Sequence, residues 1–388
     1  CLCNSNKGRA FWFHIKGEGG KQVASPAAME GELGNLIKDW CYVILCLSYC
    51  FFAGKAVPQG CLRLLALLPV VALFLLLPFN LSSMHFAGMT SFFISWLANF
   101  KLLLFAFGGG PLAADQDVSL PHFLALASLP IKIRPLQKEP AAAAQFLPRR
   151  ALLLAAKACL LAVLVKANPH IRAAHLTLLL TFYSIQMYLS LEIMLVAVAA
   201  VARGLLRHDL EPQFDEPYLA TSLQDFWSRR WNLMVTRIMR PVVYLPVLRA
   251  AAKILGRKWA PVPAILATFL VSGLMHELVF FHLGHLPPTW EITAYFLLHG
   301  ACLTAEVMVK KACSDGDRRR WVVPRAVASP MTVVFVGGTS LWLFLPQLLR
   351  VRADVRACEE YAAVGAFVRD IGRRFTAPHP QNATAHIL

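Results

Sequence analysis

Two stretches of the chain combine residue types that could carry out proton transfer. His276 lies in the apolar run 271–281 and is followed by Glu277. Ionisable side chains are costly inside a membrane span, so each one is a candidate for function. Burial favours the neutral imidazole, which is the form that can accept a proton as a general base. The pattern therefore predicts that His276 is catalytic. Glu277, about 100° away around a helix, is expected to support the structure.

Two small residues precede this histidine. Ser272 and Gly273 stand four and three positions before His276, so all three share one helix face. We expect the serine to orient the ring and the glycine to leave room for a substrate. The alternative is a histidine that packs and bonds to a neighbour without doing chemistry.

The second stretch, residues 226–232, is dense in aromatic, basic and amide side chains. The Asn232 amide could donate to a developing oxyanion, although asparagine more often caps a helix or bonds to backbone. Trp227 and Trp231 are four apart and share a face if the segment is helical. They could form the wall for an acyl or adenine group, or belong to an interfacial aromatic belt.

Arg229 and Arg230 begin a basic stretch. Residues 226–263 contain no Asp or Glu. One interpretation is contact with lipid headgroups under the positive-inside bias. The other is recognition of phosphates on a bulky anionic co-substrate that arrives from the cytosol.

Other kinds of site are not predicted. His276 and His282 are six apart, no His-x-x-x-His pair occurs here, and the ten cysteines form no ligand framework, so we expect no metal. No Gly-x-Ser-x-Gly elbow occurs, which argues against a serine hydrolase. No phosphate-binding glycine loop with lysine occurs either. Gly337-Gly338 is expected to let helices pack closely.

The composition is that of an integral membrane protein, since 57% of residues are hydrophobic and only 15% charged. The net charge of +16 does not indicate nucleic-acid binding, because the basic residues lie between apolar segments. We predict an all-α polytopic membrane helix bundle of about eight transmembrane helices. An amphipathic cytosolic segment is expected between spans five and six. The predicted spans are 36–54, 61–79, 86–107, 150–166, 173–202, 264–283, 291–309 and 331–348.

Basic loops set the predicted orientation. Loops 111–150, 203–263 and 310–320 carry most of the basic residues between spans and fall on one side, the cytosolic one. Arg350, Arg352 and Arg356 run against this, since they would be luminal.

We divide the chain into four regions. Residues 1–28 are expected to be unstructured or upstream sequence, and residues 29–202 to form N-terminal membrane helices. Residues 203–310 form the region that carries both chemical stretches. Residues 311–388 hold a loop, the last span and a polar tail.

The two stretches together resemble a known family. Phe226-Trp227-Ser228-Arg229-Arg230-Trp231-Asn232, then Arg240-Pro241, then Ser272-Gly273-Leu274-Met275-His276-Glu277 are similar to the plant wax synthase family, a branch of the membrane-bound O-acyltransferases. The resemblance covers about residues 205–300. Ser228 departs from it, since glycine is expected there most often.

The resemblance implies an acyl-CoA-dependent O-acyltransferase of the endoplasmic reticulum membrane. Members esterify long-chain fatty alcohols to wax esters, and some close relatives acylate sterols. The family's membrane histidine corresponds to His276 and its active-site asparagine to Asn232. No cofactor is implied, because acyl-CoA is a co-substrate and the alcohol comes from the bilayer.

Other interpretations stay open at this point. A sterol could be the acceptor. A multi-spanning lipid transporter could line its pathway with His175, Gln186 and Glu192, although no inverted repeat supports it. A catalytically inactive relative could also keep both motif residues.

Overall fold

The computed structural model describes residues 26–113, 118–131, 142–171, 175–206, 212–314 and 323–376. The predictions for residues 1–25 and 377–388, and for Lys132, Arg134, Lys138 and Arg318 to Arg320, lie outside these residues. Fifteen helices are described: α1 Pro26–Ala56, α2 Cys61–Leu76, α3 Met84–Thr90, α4 Asn99–Ala106, α5 Leu120–Ser128, α6 Ala142–Ile171, α7 Leu176–Leu206, α8 Leu223–Asp225, α9 Leu233–Met239, α10 Leu245–Trp259, α11 Pro261–Gly284, α12 Glu291–Ser314, α13 Arg325–Thr339, α14 Leu345–Arg350 and α15 Ala353–Thr376.

The prediction of eight spans is confirmed. Eight helical stretches are long and apolar enough to cross a membrane: Ala27–Ala56, Cys61–Asn80, Met84–Ala106, Ala151–Asn168, Leu176–Gly204, Pro261–Gly284, Glu291–Ala312 and Arg325–Arg350. The described residues contain no strand, as the all-α prediction requires. The first span starts at Ala27 instead of residue 36, because polar residues of its first turns continue the helix outside the apolar core.

The segment between spans five and six contains the expected amphipathic helix, α10. It carries Arg249, Lys253, Arg257 and Lys258, while Ala251 is its buried residue. This helix leads directly into α11, which carries His276.

Helices α11 and α12 form a tightly packed pair. A Cβ atom added at Gly273 would come within 2.9 Å of the Thr293 Cα, so the glycine is needed for close helix approach. The backbone N–H of Thr293 donates to Glu277 Oε1 across 3.2 Å. Glu277 thus has the structural role that was predicted. Gly273 differs from the prediction, because its space is filled by α12 instead of by a substrate.

Lys101 faces protein, one of the two fates considered for a charge in the third span. Its side chain is fully buried, and its Nζ donates to the carbonyls of Leu126 and Leu129, each at 2.6 Å. These carbonyls lie at the C-terminal end of α5, where helical carbonyls lack partners and favour a cation.

Two of the three arginines that ran against the predicted orientation, Arg350 and Arg356, have protein partners. Arg350 donates to the Pro287 carbonyl at 2.8 Å, and Arg356 donates to the Ser82 carbonyl at 2.8 Å. Burial lowers the pKa of the Arg356 guanidinium, while nearby Glu360 opposes that shift. Both guanidiniums are thus bonded to backbone carbonyls of the fold.

Four π-helical segments interrupt the helices, at Ser91–Ala98, Phe226–Arg230, Arg240–Tyr244 and Ser340–Phe344. Such segments are rare and are found frequently at functional sites. Trp96 and Phe344, from two of them, contact His276 on α11, and Trp227 from a third contacts Phe269 on the same helix.

Candidate active site

A cavity of about 230 Å³ lies beside His276. Aromatic and aliphatic side chains form most of its wall, with few polar groups, as is usual for sites that take apolar molecules. The described residues that line it are Ser184, Met187, Tyr188, Pro217, Tyr218, Phe226, Trp227, Trp231, His276, Tyr295, Phe296, Val333, Val336, Gly337, Ser340, Phe344 and Leu345. A histidine in the middle of a membrane helix thus faces a space that a hydrocarbon substrate could occupy.

Aromatic rings fix the position of the His276 imidazole. Phe296 stacks on it with a centroid separation of 4.4 Å, and Trp96 meets it edge-on at 4.9 Å. Phe344 approaches from a third side at 5.9 Å. The ring is only half-buried, because one edge faces the cavity.

One hydrogen bond determines which His276 nitrogen can accept a proton. Nδ1 lies 2.7 Å from the backbone carbonyl oxygen of Ser272. A carbonyl can only accept, so Nδ1 carries the hydrogen and Nε2 of the neutral ring keeps its lone pair. Ser272 therefore orients the ring as predicted, but through its backbone instead of its hydroxyl. Nε2 has no hydrogen-bond partner among the described residues.

The other two buried histidines lack this free lone pair. In His299, Nδ1 accepts the Trp227 indole N–H at 3.1 Å. Its Nε2 therefore donates to Thr339 Oγ1 at 2.8 Å. In His282, Nε2 donates to the Leu75 carbonyl and Nδ1 accepts from the Ser91 hydroxyl. Both rings are fully satisfied, so of these three histidines His276 is the one with a nitrogen free to accept a proton.

Trp227 and Trp231 both line the cavity, so they lie in its wall instead of forming a separate belt. Their geometry differs from the helical spacing assumed from sequence, because the chain leaves the π-helix at Trp231. The Trp231 ring stacks on Phe226 with an interplanar angle of 16°, while Trp227 packs edge-on against Phe269. Each tryptophan is thereby held by other rings while one surface faces the cavity.

Asn232 follows Trp231 and has an unusual backbone. Its φ is +39°, in the left-handed region that asparagine tolerates better than most residues. It stands at the N-terminus of α9, but its side chain makes no capping hydrogen bond. Oδ1 is buried and lacks a donor among the described residues. The Asn232 oxygen is thus an unused acceptor, but Asn232 is not one of the described residues that line the cavity or the basic cleft described below.

A second, larger cleft of about 960 Å³ has a basic lining. Arg229 and Arg325 line it with exposed side chains, and Lys310, which also lines it, forms an ion pair with Glu306. The sequence pointed to Arg229 as a candidate for phosphate recognition, whereas Lys310 lies in the third basic loop and Arg325 beyond it, far from both motifs. Two exposed arginines from separate segments suit a ligand with several negative charges.

Arg230 also lines this cleft but is engaged with its own loop. Its Nε donates to Asp225 Oδ2 at 2.8 Å, and another guanidinium nitrogen donates to the Asp215 carbonyl at 3.0 Å. Burial raises the pKa of the Asp225 carboxyl, but the bonds from Arg230 and from the Thr221 backbone outweigh it and hold that pKa below its usual range. Arg230 therefore shapes the cleft, and Arg229 is the more available of the two cations.

The cleft and the cavity adjoin each other. Tyr218 and Val333 line both of them. A charged ligand in the cleft could therefore extend an apolar portion past these two side chains toward His276.

Several cavity residues carried no signal in the sequence. Tyr295 lines the cavity, and its hydroxyl accepts a hydrogen bond from Ser340 at 3.1 Å. Trp96 contacts His276, and its indole N–H is buried without an acceptor among the described residues. These residues lie in apolar helices remote from both motifs, where a single polar atom does not reveal which helix face it occupies.

Glu192, one of the three residues considered for a transport pathway, has a local partner. Glu192 accepts from Lys157 Nζ at 2.6 Å, which joins α6 to α7. A cationic side chain and a carboxylate that satisfy each other hold two membrane helices together and do not form an open path.

Fold and site together define a polytopic membrane protein in which a histidine faces an apolar cavity beside a basic cleft. Residues 210–298 match the profile described as the membrane bound O-acyl transferase family. Acyl-CoA–sterol O-acyltransferase 1 of Arabidopsis thaliana is 45% identical over 348 residues, which is 89% of this chain and 99% of that protein. Long-chain-alcohol O-fatty-acyltransferase of Simmondsia chinensis is 44% identical over 341 residues, or 86% and 95%.

The chain belongs to the membrane-bound O-acyltransferase family, in its plant wax synthase branch. The resemblance of residues 205–300 is thereby confirmed and extends over most of the chain. Transfer of an acyl group to an oxygen is its class of reaction, and it is a multi-pass membrane protein.

Proposed function

We propose that this enzyme esterifies a long-chain fatty alcohol with the acyl group of a fatty acyl-CoA to form a wax ester, in the endoplasmic reticulum membrane. One observation carries the proposal. The unpaired Nε2 of a neutral His276 faces an apolar cavity that adjoins a basic cleft. The relative from Simmondsia chinensis, a long-chain-alcohol O-fatty-acyltransferase by name, supports the choice of acceptor.

In this proposal the basic cleft binds the phosphates of acyl-CoA. Arg229 and Arg325 attract the anionic part by charge and can bond phosphate oxygens through two nitrogens each. The acyl chain then passes Tyr218 and Val333 into the cavity. No cofactor takes part, because acyl-CoA already carries an activated thioester.

The alcohol enters from the bilayer and places its hydroxyl at His276. As the alcohol oxygen attacks the thioester carbonyl, Nε2 takes the hydroxyl proton and the imidazole becomes cationic. The carbon–sulfur bond then breaks, and CoA leaves as the thiol after receiving that proton. An aliphatic hydroxyl is a weak acid, so a base that acts in the transition state contributes roughly 10²–10⁴-fold in rate.

Asn232 has a supporting role in the same step. Its amide is proposed to position the thioester or to donate to the tetrahedral oxyanion, which is the usual role of such groups in acyl transfer. The lack of a side-chain capping bond at Asn232 argues against a helix cap, and the unpaired oxygen could accept a hydrogen bond from a ligand, which fits the positioning role. Trp227 and Trp231 hold the apolar chains in line with the reacting atoms.

A sterol acceptor is the second candidate. The relative from Arabidopsis thaliana, an acyl-CoA–sterol O-acyltransferase by name, matches nearly its whole length to this chain. The chemistry at His276 would be the same, and only the shape of the acceptor would differ.

The test is an assay of the purified protein in detergent with labelled acyl-CoA and either hexadecanol or a sterol. Ester formation supports the proposal, and the preferred acceptor decides between the two candidates. Detergent removes separate compartments, so ester made there also rules out a protein that only transports lipid. Absence of ester with both acceptors would refute the proposal.

A further inference from the structure

One helix face of the last span forms a continuous part of the cavity wall. Val333, Gly337, Ser340 and Phe344 follow each other at helical spacing along α13 and the π segment after it, and all four line the cavity. Phe344 contacts His276 at one end of this face. Gly337 lies seven residues earlier, which is roughly 10 Å along a helix.

Helix packing does not explain the glycine at this position. A Cβ atom added at Gly337 would meet no atom within 4 Å. By contrast, a Cβ at Gly273 would lie 2.9 Å from Thr293, and one at Gly300 would lie 3.0 Å from Phe269. The expectation that Gly337-Gly338 lets helices approach is therefore wrong. A glycine inside a helix also makes the helix less stable than an alanine at the same position would.

The next residue is a natural comparison. A Cβ atom at Gly338 also meets nothing within 4 Å, yet Gly338 is exposed and is not among the described residues that line the cavity. Successive helix residues point about 100° apart. The open space at Gly338 is thus outside the protein, whereas the open space at Gly337 belongs to the cavity.

We propose that Gly337 is a specificity-determining residue of the acyl transfer. Its missing side chain keeps the cavity wide beyond His276 and so admits the bulky hydrocarbon part of a substrate. The proposal rests on the proposed function, because it assumes that the cavity holds the acyl chain or the alcohol. Both are hydrocarbons, and the experiment distinguishes them.

The test compares Gly337→Leu with the matched variant Gly338→Leu in purified enzyme. One arm uses a single acyl-CoA with a slender unbranched alcohol or a sterol. The other arm uses a single alcohol with acyl-CoAs of increasing chain length. We expect Gly337→Leu to lower kcat/KM by roughly 10–200-fold either for the sterol in the first arm or for the longest acyl-CoA in the second. For the unbranched alcohol or the shortest acyl-CoA of the same arm, we expect a loss of less than about threefold.

The arm that changes identifies the hydrocarbon that lies against Gly337. Gly338→Leu is expected to leave both series as in wild type, which controls for added bulk in the same helix. Equal profiles for the two variants, or a loss at Gly337→Leu that does not depend on substrate size, would overturn the proposal.

A binding measurement separates this inference from the proposed function. Gly337→Cys and Gly338→Cys are treated with a maleimide with and without saturating fatty alcohol or acyl-CoA, and the modified cysteine is located by mass spectrometry. We expect one of the two ligands to protect Cys at position 337 and neither to protect position 338. Wild-type protein that forms no ester would refute the proposed function, whereas unprotected labelling at 337 would refute the role of Gly337.

Discussion

The indole N–H of Trp227 donates to Nδ1 of His299 across 3.1 Å. This bond occupies the lone pair that would let His299 act as a base, and the other ring nitrogen is committed to Thr339. His299 therefore holds the indole in the cavity wall while His276 keeps its Nε2 free. His276 and His299, on neighbouring helices, therefore differ in their ability to accept a proton, because Nδ1 meets a carbonyl acceptor in His276 and an indole donor in His299.

Replacement of Trp227 by phenylalanine tests this arrangement. Trp227→Phe keeps an aromatic ring but removes the donor, so a buried histidine nitrogen is left unpaired. We expect a loss of about 1–3 kcal/mol in stability, seen as a lower thermal midpoint in detergent, together with reduced kcat. A variant with the midpoint and kcat of wild type would show that the bond does not position the ring.

Asn232 can be tested without straining the backbone. Its φ of +39° suits glycine, so Asn232→Gly removes the amide and keeps the conformation, whereas Asn232→Ala removes the amide and adds strain. If the amide stabilises the reaction, both variants lose roughly 10²–10³-fold in kcat. A glycine variant that remains active while the alanine variant fails would assign the residue to backbone geometry alone.

The basic cleft predicts a charge effect on acyl-CoA binding. Arg325→Glu or Arg229→Glu places an anion among cations that line the cleft, so we expect KM for acyl-CoA to rise roughly five- to tenfold with little change in kcat. The rise should shrink at high salt, because exposed charges are screened. Arg249→Glu on α10 is the matched control, since Arg249 lies outside the cleft. Equal effects of all three reversals would contradict a local phosphate site.

The Asp225–Arg230 pair predicts a response to acid. The folded pKa of Asp225 lies below its usual value of 3.8, so its stabilising contribution is present above that value and is lost as the pH falls through the folded pKa. We expect Asp225→Asn to lower the thermal midpoint at pH 7, and the difference from wild type to shrink below about pH 4. Asp215→Asn is the control, because Asp215 accepts from Arg230 through its backbone. A difference that stays constant with pH would contradict the linkage.

The eight spans were predictable because hydropathy alone decides which segments can cross a bilayer. His276 and the two tryptophans were predictable because ionisable and aromatic residues stand out against apolar sequence. The role of Gly273 was not, since it depends on how closely Thr293 approaches from another helix. The tautomer of His276 depends on a backbone carbonyl, which every residue has and no pattern distinguishes.

Gly337, Arg325 and Trp96 illustrate a second limit. Each acquires its meaning only when helices far apart in sequence meet around one cavity or cleft. Gly337 and Gly338 are identical in sequence terms, yet one faces the cavity and the other is exposed. Long-range packing decides between them, and it leaves no mark at either position.

The central claim is that His276 acts as the base through its unpaired Nε2. The most direct measurement is ester formation by purified His276→Ala and His276→Gln in detergent, with labelled acyl-CoA and the preferred alcohol. We predict that kcat falls by roughly 10²–10⁴-fold in both variants, while the KM for acyl-CoA and the thermal midpoint stay near wild type. Ester formation at the wild-type rate by either variant would contradict the claim.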